Sequence, residues 1–187
     1  CSLSSVYITD IASWCNIEFG DNCANPLCWS DYEKSLYLNG EVVTELVIPK
    51  GVTEIKDYAF YNYTSLTSVT IPDSVTSIGY GAFFVCNSLT SITFPDSVMS
   101  IGGAAFYGCT SLTTAPALPA TTLQQSCYSS MFKGCTSLTT APELPATTLA
   151  ERCYYGMFQK CTSLVQAPTL PATTLANYCY NTMFRDC

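Results

Sequence analysis

The chain has 187 residues, a net charge of −7 and a pI near 4.3, and charged residues make up only 11% of it. Its seven Lys and Arg are too few for binding nucleic acid or anionic membranes, because both need clustered cations. We expect no transmembrane segment, since no apolar run reaches ~20 residues, and the absence of histidine excludes Ser-His and Cys-His catalysis.

Residues 1–40 form the irregular part of the chain, which we call the irregular coil. The segment SLSSVYITD alternates like a strand, and DIASWCNIEF has apolar residues at helical spacing, with Asp10 as the N-cap. The segment GDNCANPLCWSD is rich in turn residues and predicts a loop. Asn39 and Gly40 then separate two strand-like runs, which predicts a hairpin.

Six repeats tile residues 41–187 without a gap. Three short repeats, each of twenty-three residues, fill 41–109, as in TSLTSVTIPDSVTSIGYGAFFVC. Three long repeats, each of twenty-six residues, fill 110–187, as in TSLTTAPELPATTLAERCYYGMFQKC. A fixed period is typical of a solenoid, in which stacked units bury together what no single unit can bury. We therefore expect one continuous domain made of the irregular coil, the short repeats and the long repeats.

The strand of each short repeat is the run LxxVxIP, and its proline ends the strand. In the long repeats Pro116, Pro142 and Pro168 fall inside this run, so the parallel sheet should narrow to about four residues from Leu112 onward. Opposite the strands, we expect short extended segments in the short repeats and short helices in the long ones. The helices are predicted from apolar residues spaced four apart, at Leu123, Cys127, Met131 and Cys135.

These motifs resemble a known family. LxxVxIPxSVxSIGxxAFxxC is similar to the BspA-type leucine-rich repeats of bacterial surface proteins, and TSLTTAPxLPATTLxxxCYxxMFxxC resembles their longer variant. The resemblance implies an α/β repeat fold, a right-handed solenoid of about seven coils with a parallel sheet on its concave face. It also implies a non-catalytic recognition or adhesion module at the cell surface or outside the cell. Tyr63 departs from the pattern, because the other repeats end in Cys.

The cysteines of the repeats form two ladders. Either they are buried thiols stacked in the core, or they form disulfides. Helical geometry would place Cys127 and Cys135 ~12 Å apart, beyond the ~7 Å that a disulfide spans. Tyr63 also suggests that its position needs bulk, so we expect buried thiols. The ladders are Cys86, Cys109, Cys135, Cys161 and Cys187, and Cys127, Cys153 and Cys179.

No residue set indicates a catalytic, cofactor or metal site. Zinc would need His or C-x-x-C spacing, and neither is present. A disulfide among Cys15, Cys23 and Cys28 remains an alternative to free thiols. Carboxylates cluster in the irregular coil, but loops favour such residues for capping and turns. We therefore expect no glycosidase-like pair among Asp10, Glu18, Asp21, Asp31 and Glu33.

Outward positions of successive strands line up across the repeats, and solenoids bind partners through such surfaces. The partner would be a protein or glycan on another cell or in the matrix. Simple solubility is the other explanation, and a structural spacer within a longer surface protein is the alternative function. The candidate positions are Glu45, Ser68, Thr70, Ser91, Thr93, Thr114, Thr140, Glu143, Gln166 and Thr169.

A ladder of tyrosines occurs once in each long repeat, at Tyr128, Tyr154 and Tyr180. It is either half-buried packing or an aromatic strip that stacks on sugars or on a protein. Packing is the favoured interpretation, and the neighbouring Tyr155 and Tyr178 add some support for the strip.

Overall fold

The computed structural model describes residues 4–28, 35–118 and 120–187. Its first part contains β1 (Ser5–Ile8), α1 (Ile11–Cys15), a 3-10 turn (Asn22–Ala24), β2 (Ser35–Leu38) and β3 (Glu41–Val42). β2 pairs in parallel with β1 and antiparallel with β3. Asn39 and Gly40 join β2 to β3 with φ values of 52° and 91°, as a two-residue hairpin turn requires. The predicted hairpin is confirmed.

α1 is the short helix predicted after the first strand. The Asp10 carboxylate accepts hydrogen bonds from the backbone N–H groups of Ala12 and Ser13, at 3.2 and 2.8 Å, which caps the helix. The buried indole of Trp14 donates a hydrogen bond to the Ala59 carbonyl at 2.8 Å. The irregular coil is thereby attached to the first repeat.

Two parallel sheets run through the short repeats. The first consists of β4, β6 and β8, and the second of β5, β7 and β9. Equivalent residues pair directly, as Glu45 does with Ser68 and Ser68 with Ser91, so the register follows the repeat. The strands are β4 (Glu45–Val47), β5 (Glu54–Ile55), β6 (Ser68–Thr70), β7 (Ser77–Ile78), β8 (Ser91–Ile92) and β9 (Ser100–Ile101).

Both sheets continue into the long repeats as isolated bridges. Thr114 pairs with Thr140 and Thr140 with Gln166, while Thr122, Thr148 and Thr174 extend the second sheet. The expected narrowing from Leu112 onward is confirmed, but the predicted width of the sheet is wrong, because the strands of the short repeats are already only two or three residues long and the long repeats keep single bridged positions. The reason is that Pro116 and its equivalents lack the N–H that a longer ladder would use.

The third side of each coil is a stack of turns, and the helices predicted for the long repeats are wrong. Positive φ recurs every fourth residue, at Ser126, Ser130 and Gly134. Half of the N–H groups bond three residues back, as Met131 does to the Tyr128 carbonyl at 3.1 Å. Most of the others bond to the next coil, as Phe132 does to the Met157 carbonyl at 3.0 Å. We call this surface the turn stack.

The reason for the error is periodicity. Four-residue turns repeat apolar side chains at i, i+4 and i+8, which resembles the 3.6-residue period of a helix over such a short segment. Among the described residues α1 is the only α-helix. No helix in this part of the chain is long and apolar enough to span a bilayer.

The core is a column of rings enclosed by the three sides. Successive phenylalanines lie parallel, with ring centroids 5.3 Å apart for Phe83 and Phe106 and 5.9 Å apart for Phe132 and Phe158. The same core contains the buried side chains of both sheets, which are Leu46, Val69 and Ile92 in the first and Ile55, Ile78 and Ile101 in the second. Each coil therefore packs its apolar side chains mainly against equivalent side chains of its neighbours.

Candidate functional site

The repeat-end cysteines donate hydrogen bonds through their thiols, and all of them except Cys187 are buried. Cys86 donates to the Phe60 carbonyl at 3.3 Å and Cys109 to the Phe83 carbonyl at 3.2 Å. Burial raises the pKa of Cys109 and of Cys161 to about 12. Such thiols are poor nucleophiles, because the thiolate is the reactive form. The free thiols include Cys15, Cys86, Cys109, Cys127, Cys135, Cys153, Cys161, Cys179 and Cys187.

These thiols confirm the packing alternative for both ladders. Cys15 is also a free thiol, so it makes no disulfide within the irregular coil. Within the described residues, no group of three or more His, Cys, Asp or Glu is placed to hold a metal ion.

Tyr63 takes over the role of the missing repeat-end cysteine. It is fully buried, and its hydroxyl donates to the backbone carbonyl of Val43 and lies 3.4 Å from that of Leu36. The prediction that this position needs a space-filling side chain is confirmed, and the structure adds a second requirement, a hydrogen-bond donor.

The clustered carboxylates of the irregular coil have structural roles. Asp10 caps α1, and the Asp21 side chain accepts from the Ala24 N–H at 2.9 Å. Glu18 lies 3.6 Å from the Lys56 ammonium group. The predicted capping role is confirmed for Asp10 and Asp21, while Asp31 and Glu33 lie outside the described residues.

The candidate binding residues of the strands share one surface, which we call the strand face. It consists of the outward side chains of β4, β6 and β8 and of the bridged positions that follow. All the predicted positions are exposed except Ser68, which is half-buried. On this face the Thr169 hydroxyl donates to the Glu143 carboxylate at 3.1 Å. Further threonine hydroxyls bond to the previous coil, as Thr67 does to the Thr44 carbonyl at 2.9 Å.

The strand face is uneven along its length. Its middle carries Ser and Thr, whereas its first coil borders a groove of about 280 Å³ where the hairpin meets β4. Exposed Val42 and Val47 line this groove together with Glu41 and Glu45. The aligned strand positions indicated Glu45 but not the contribution of the hairpin, because β3 pairs antiparallel with β2 and not with an equivalent position of the next repeat.

The tyrosine ladder is packed into the core. Tyr128 and Tyr154 are only 3% and 1% exposed, and their rings stack at 6.0 Å. Tyr180 is half-buried and stacks on Tyr154 at 5.9 Å. The structure therefore matches the packing alternative, and the rings of Tyr128 and Tyr154 are not presented to a partner.

The chain is similar to known proteins of one family. A family model described as BspA type Leucine rich repeat region matches six copies, over residues 32–165 and 88–187. No curated protein sequence matches the chain. Several crystal structures share its fold.

A leucine-rich repeat protein from Eubacterium ventriosum is 25% identical with a TM-score of 0.55, over 78% of this chain and 42% of that one. A leucine rich cell surface protein from Faecalibacterium prausnitzii is 26% identical with a TM-score of 0.50, over 73% and 41%. A leucine rich repeat protein from T. pallidum is 30% identical with a TM-score of 0.50, over 68% and 70%. The chain thus spans less than half of the first two proteins. Together with the family match, these similarities show that the chain belongs to the BspA-type leucine-rich repeat family.

Proposed function

We propose that this chain is a non-catalytic recognition module of a bacterial cell surface, and that its strand face binds a partner on another cell or in the matrix. The observation that supports recognition is the groove between the hairpin and β4, where two exposed valines lie beside two glutamates. A relative described as a leucine rich cell surface protein supports the location.

The groove fits a protein partner best. Protein interfaces combine an apolar centre with a polar rim, and Val47 is 63% exposed while Val42 is 46% exposed. Glu41 and Glu45 make this region acidic, and the whole chain carries a net charge of −7. We therefore expect the partner to present an apolar anchor surrounded by Lys or Arg, because complementary charge speeds association.

A structural spacer is the second candidate. It is favoured by the middle of the strand face, where β6, β8 and the bridged threonines expose only small hydroxyl side chains. A spacer would need solubility and length but no distinctive cluster.

The deciding experiment is a surface plasmon resonance screen against purified matrix proteins and a glycan array. A partner of the proposed site should lose about tenfold in affinity with Val47→Asp, equivalent to ~1.4 kcal/mol. Glu45→Lys should slow association and reduce its salt dependence. Lys133→Ala, which lies on the turn stack and away from the strand face, is the control and should bind normally.

Unchanged binding of the partner by both groove variants would show that this groove is not the binding site. If a folded sample binds none of the matrix proteins and none of the glycans, the result would favour the structural spacer.

A further inference from the structure

A separate groove of about 610 Å³ lies on the turn stack, where the short repeats give way to the long ones. Tyr80, Tyr155 and Tyr178 line it together with Arg152, Asn181 and two serines. None of these residues belongs to the strand face. The volume lies within the ~300–1,000 Å³ of typical small-ligand sites.

Ser129 forms the floor of the groove, in a row of equivalent positions that has Gly103 one coil before it. Each carbonyl in the row accepts a hydrogen bond from the previous coil, as Gly103 does from Gly81 at 3.0 Å and Ser129 from Ala104 at 2.7 Å. The row runs Tyr80, Gly103, Ser129, Tyr155 and Asn181. Two small residues therefore separate two tyrosines, which stand ~14 Å apart at ~4.8 Å per coil.

Backbone contacts keep this floor open. A Cβ atom at Gly103 would lie 3.1 Å from the Ser129 carbonyl oxygen and 3.2 Å from that of Ser126. A side chain at this position would therefore press on the backbone of the next coil.

One side of the groove is formed by the additional turn that the long repeats contain. Ser126, Arg152 and Tyr178 are its equivalent positive-φ residues, and coil-to-coil hydrogen bonds hold it, as from Arg152 N–H to the Asn177 carbonyl at 3.0 Å. The Arg152 guanidinium lies 5.4 Å from the Tyr178 ring centroid, and its Nε is 3.8 Å from the Glu151 carboxylate. These contacts favour a defined position for the guanidinium while its side chain stays 54% exposed.

We propose that this groove binds a neutral oligosaccharide. A sugar ring has an apolar C–H face that packs on a flat aromatic ring, and hydroxyls at its edge that need hydrogen-bond partners. The tyrosines are 36–57% exposed and supply such faces. Arg152, Asn181 and Ser129 supply donors and acceptors around them.

The charges favour a neutral sugar over an acidic one. Glu151 lies beside Arg152 and offsets its charge, and the net charge of −7 repels anionic chains. This inference concerns a different surface and a different ligand class from the strand face, so the failure of either proposal leaves the other standing.

The test is an array of neutral, sialylated and uronic-acid glycans, followed by calorimetric titration of the full chain with the best neutral oligosaccharide. We expect Tyr155→Leu and Tyr80→Ala to weaken binding at least tenfold, because each removes an aromatic ring on which the sugar would pack. Tyr155→Leu keeps the apolar bulk of the side chain, so its effect isolates the contribution of the ring. Ser129→Tyr fills the floor and should abolish binding.

Lys133→Ala is the matched control, because Lys133 makes a similar contact with the Tyr107 ring at 5.6 Å on the turn stack but does not line the groove. It should bind normally. Circular dichroism and thermal melts verify that each variant is folded.

The proposal is overturned if no neutral glycan binds, if only acidic glycans bind, or if the folded Tyr155→Leu and Tyr80→Ala variants bind as the unaltered chain does. Equal weakening in Lys133→Ala would also overturn it.

Discussion

At the end of each repeat one residue has two tasks. It fills the space beside the phenylalanine column, and it donates a hydrogen bond to a carbonyl of the previous coil, at 3.2 Å for Cys109 and also for Cys135. A thiol is a weak donor, but it is small and apolar enough to be fully buried. Tyr63 fulfils both tasks with a larger side chain where the previous coil is irregular.

Cys109→Ala should therefore destabilise the fold by about 1–2 kcal/mol, through the cavity and the carbonyl left without its donor. Urea denaturation under reducing conditions measures this change. Cys187→Ala is the control, because its thiol makes the same kind of bond to the Phe158 carbonyl but is partly exposed. Equal losses in the two variants would contradict the argument that burial determines the effect.

The raised thiol pKa values predict how stability depends on pH. In the unfolded chain a thiol ionises near its ordinary value of 9.0, whereas Cys109 and Cys161 in the fold keep their protons up to about 12. Above pH 9 the unfolded state therefore loses protons that the folded state retains, which favours unfolding. Stability should be level below about pH 8 and fall as the pH rises from 9 toward 12.

Denaturation midpoints measured across this range should fall less steeply for Cys109→Ala than for the unaltered chain. A rise in stability above pH 9 would show that the thiols are not buried.

At the scale of the element, the turn stack depends on residues in the left-handed region. Gly134 and Lys160 are equivalent positions, with φ values of 77° and 64°. Glycine adopts this conformation without steric cost, whereas other L-residues lose about 1–2 kcal/mol. The long repeats therefore retain strain at positions where the side chain is exposed, as it is at Lys160.

Lys160→Gly should consequently stabilise the protein by about 0.5–1 kcal/mol, after the greater backbone entropy of glycine in the unfolded state is subtracted. Gly134→Ala should destabilise it by a similar amount. Thermal melts distinguish this from a helix, in which Lys160→Gly would instead cost about 1 kcal/mol. Lys133→Gly, where φ is not positive, serves as the control and should be destabilising.

Much of the element structure was predictable from sequence, and the exception has a physical reason. Asp10, Asn39 and Gly40 predicted their cap and hairpin because these signals act through neighbouring backbone atoms. The spacing of Cys127, Met131 and Cys135 predicted a helix that is absent. Apolar spacing indicates which side chains face inward, but it does not indicate where the backbone N–H groups bond. In the turn stack half of those N–H groups bond to the next coil, which lies one whole repeat away along the chain.

The candidate sites show the same limit. Aligned strand positions predicted which side chains share the strand face, since parallel register follows the repeat. The repeat pattern indicated Tyr155 and Tyr178 but not Tyr80, which shares their groove. Tyr80 belongs to a short repeat, and its row becomes visible only when repeats of two lengths are aligned through their hydrogen bonds.

For the whole molecule, coils that contact mainly their neighbours should be removable as units. Deleting residues 136–161 joins Cys135 to Thr162, the same type of junction as the one removed. We expect a folded, shorter solenoid with lower stability and a smaller denaturant m-value, because less surface is buried. Circular dichroism and small-angle scattering test this.

A control deletion of residues 136–148 removes half a repeat and should prevent folding of the long repeats. Similar behaviour of the two deletions would argue against repeat-by-repeat stacking.

The direction of the backbone hydrogen bonds has a mechanical consequence. In both sheets and in the turn stack they run from one coil to the next, along the length of the solenoid. Tension applied to the two ends of the chain therefore breaks the hydrogen bonds between one pair of neighbouring coils before those of the next pair. Each released long repeat would lengthen the chain from ~4.8 Å to ~90 Å. Such an array yields to a pulling force in steps, lengthening coil by coil while the remaining coils stay folded.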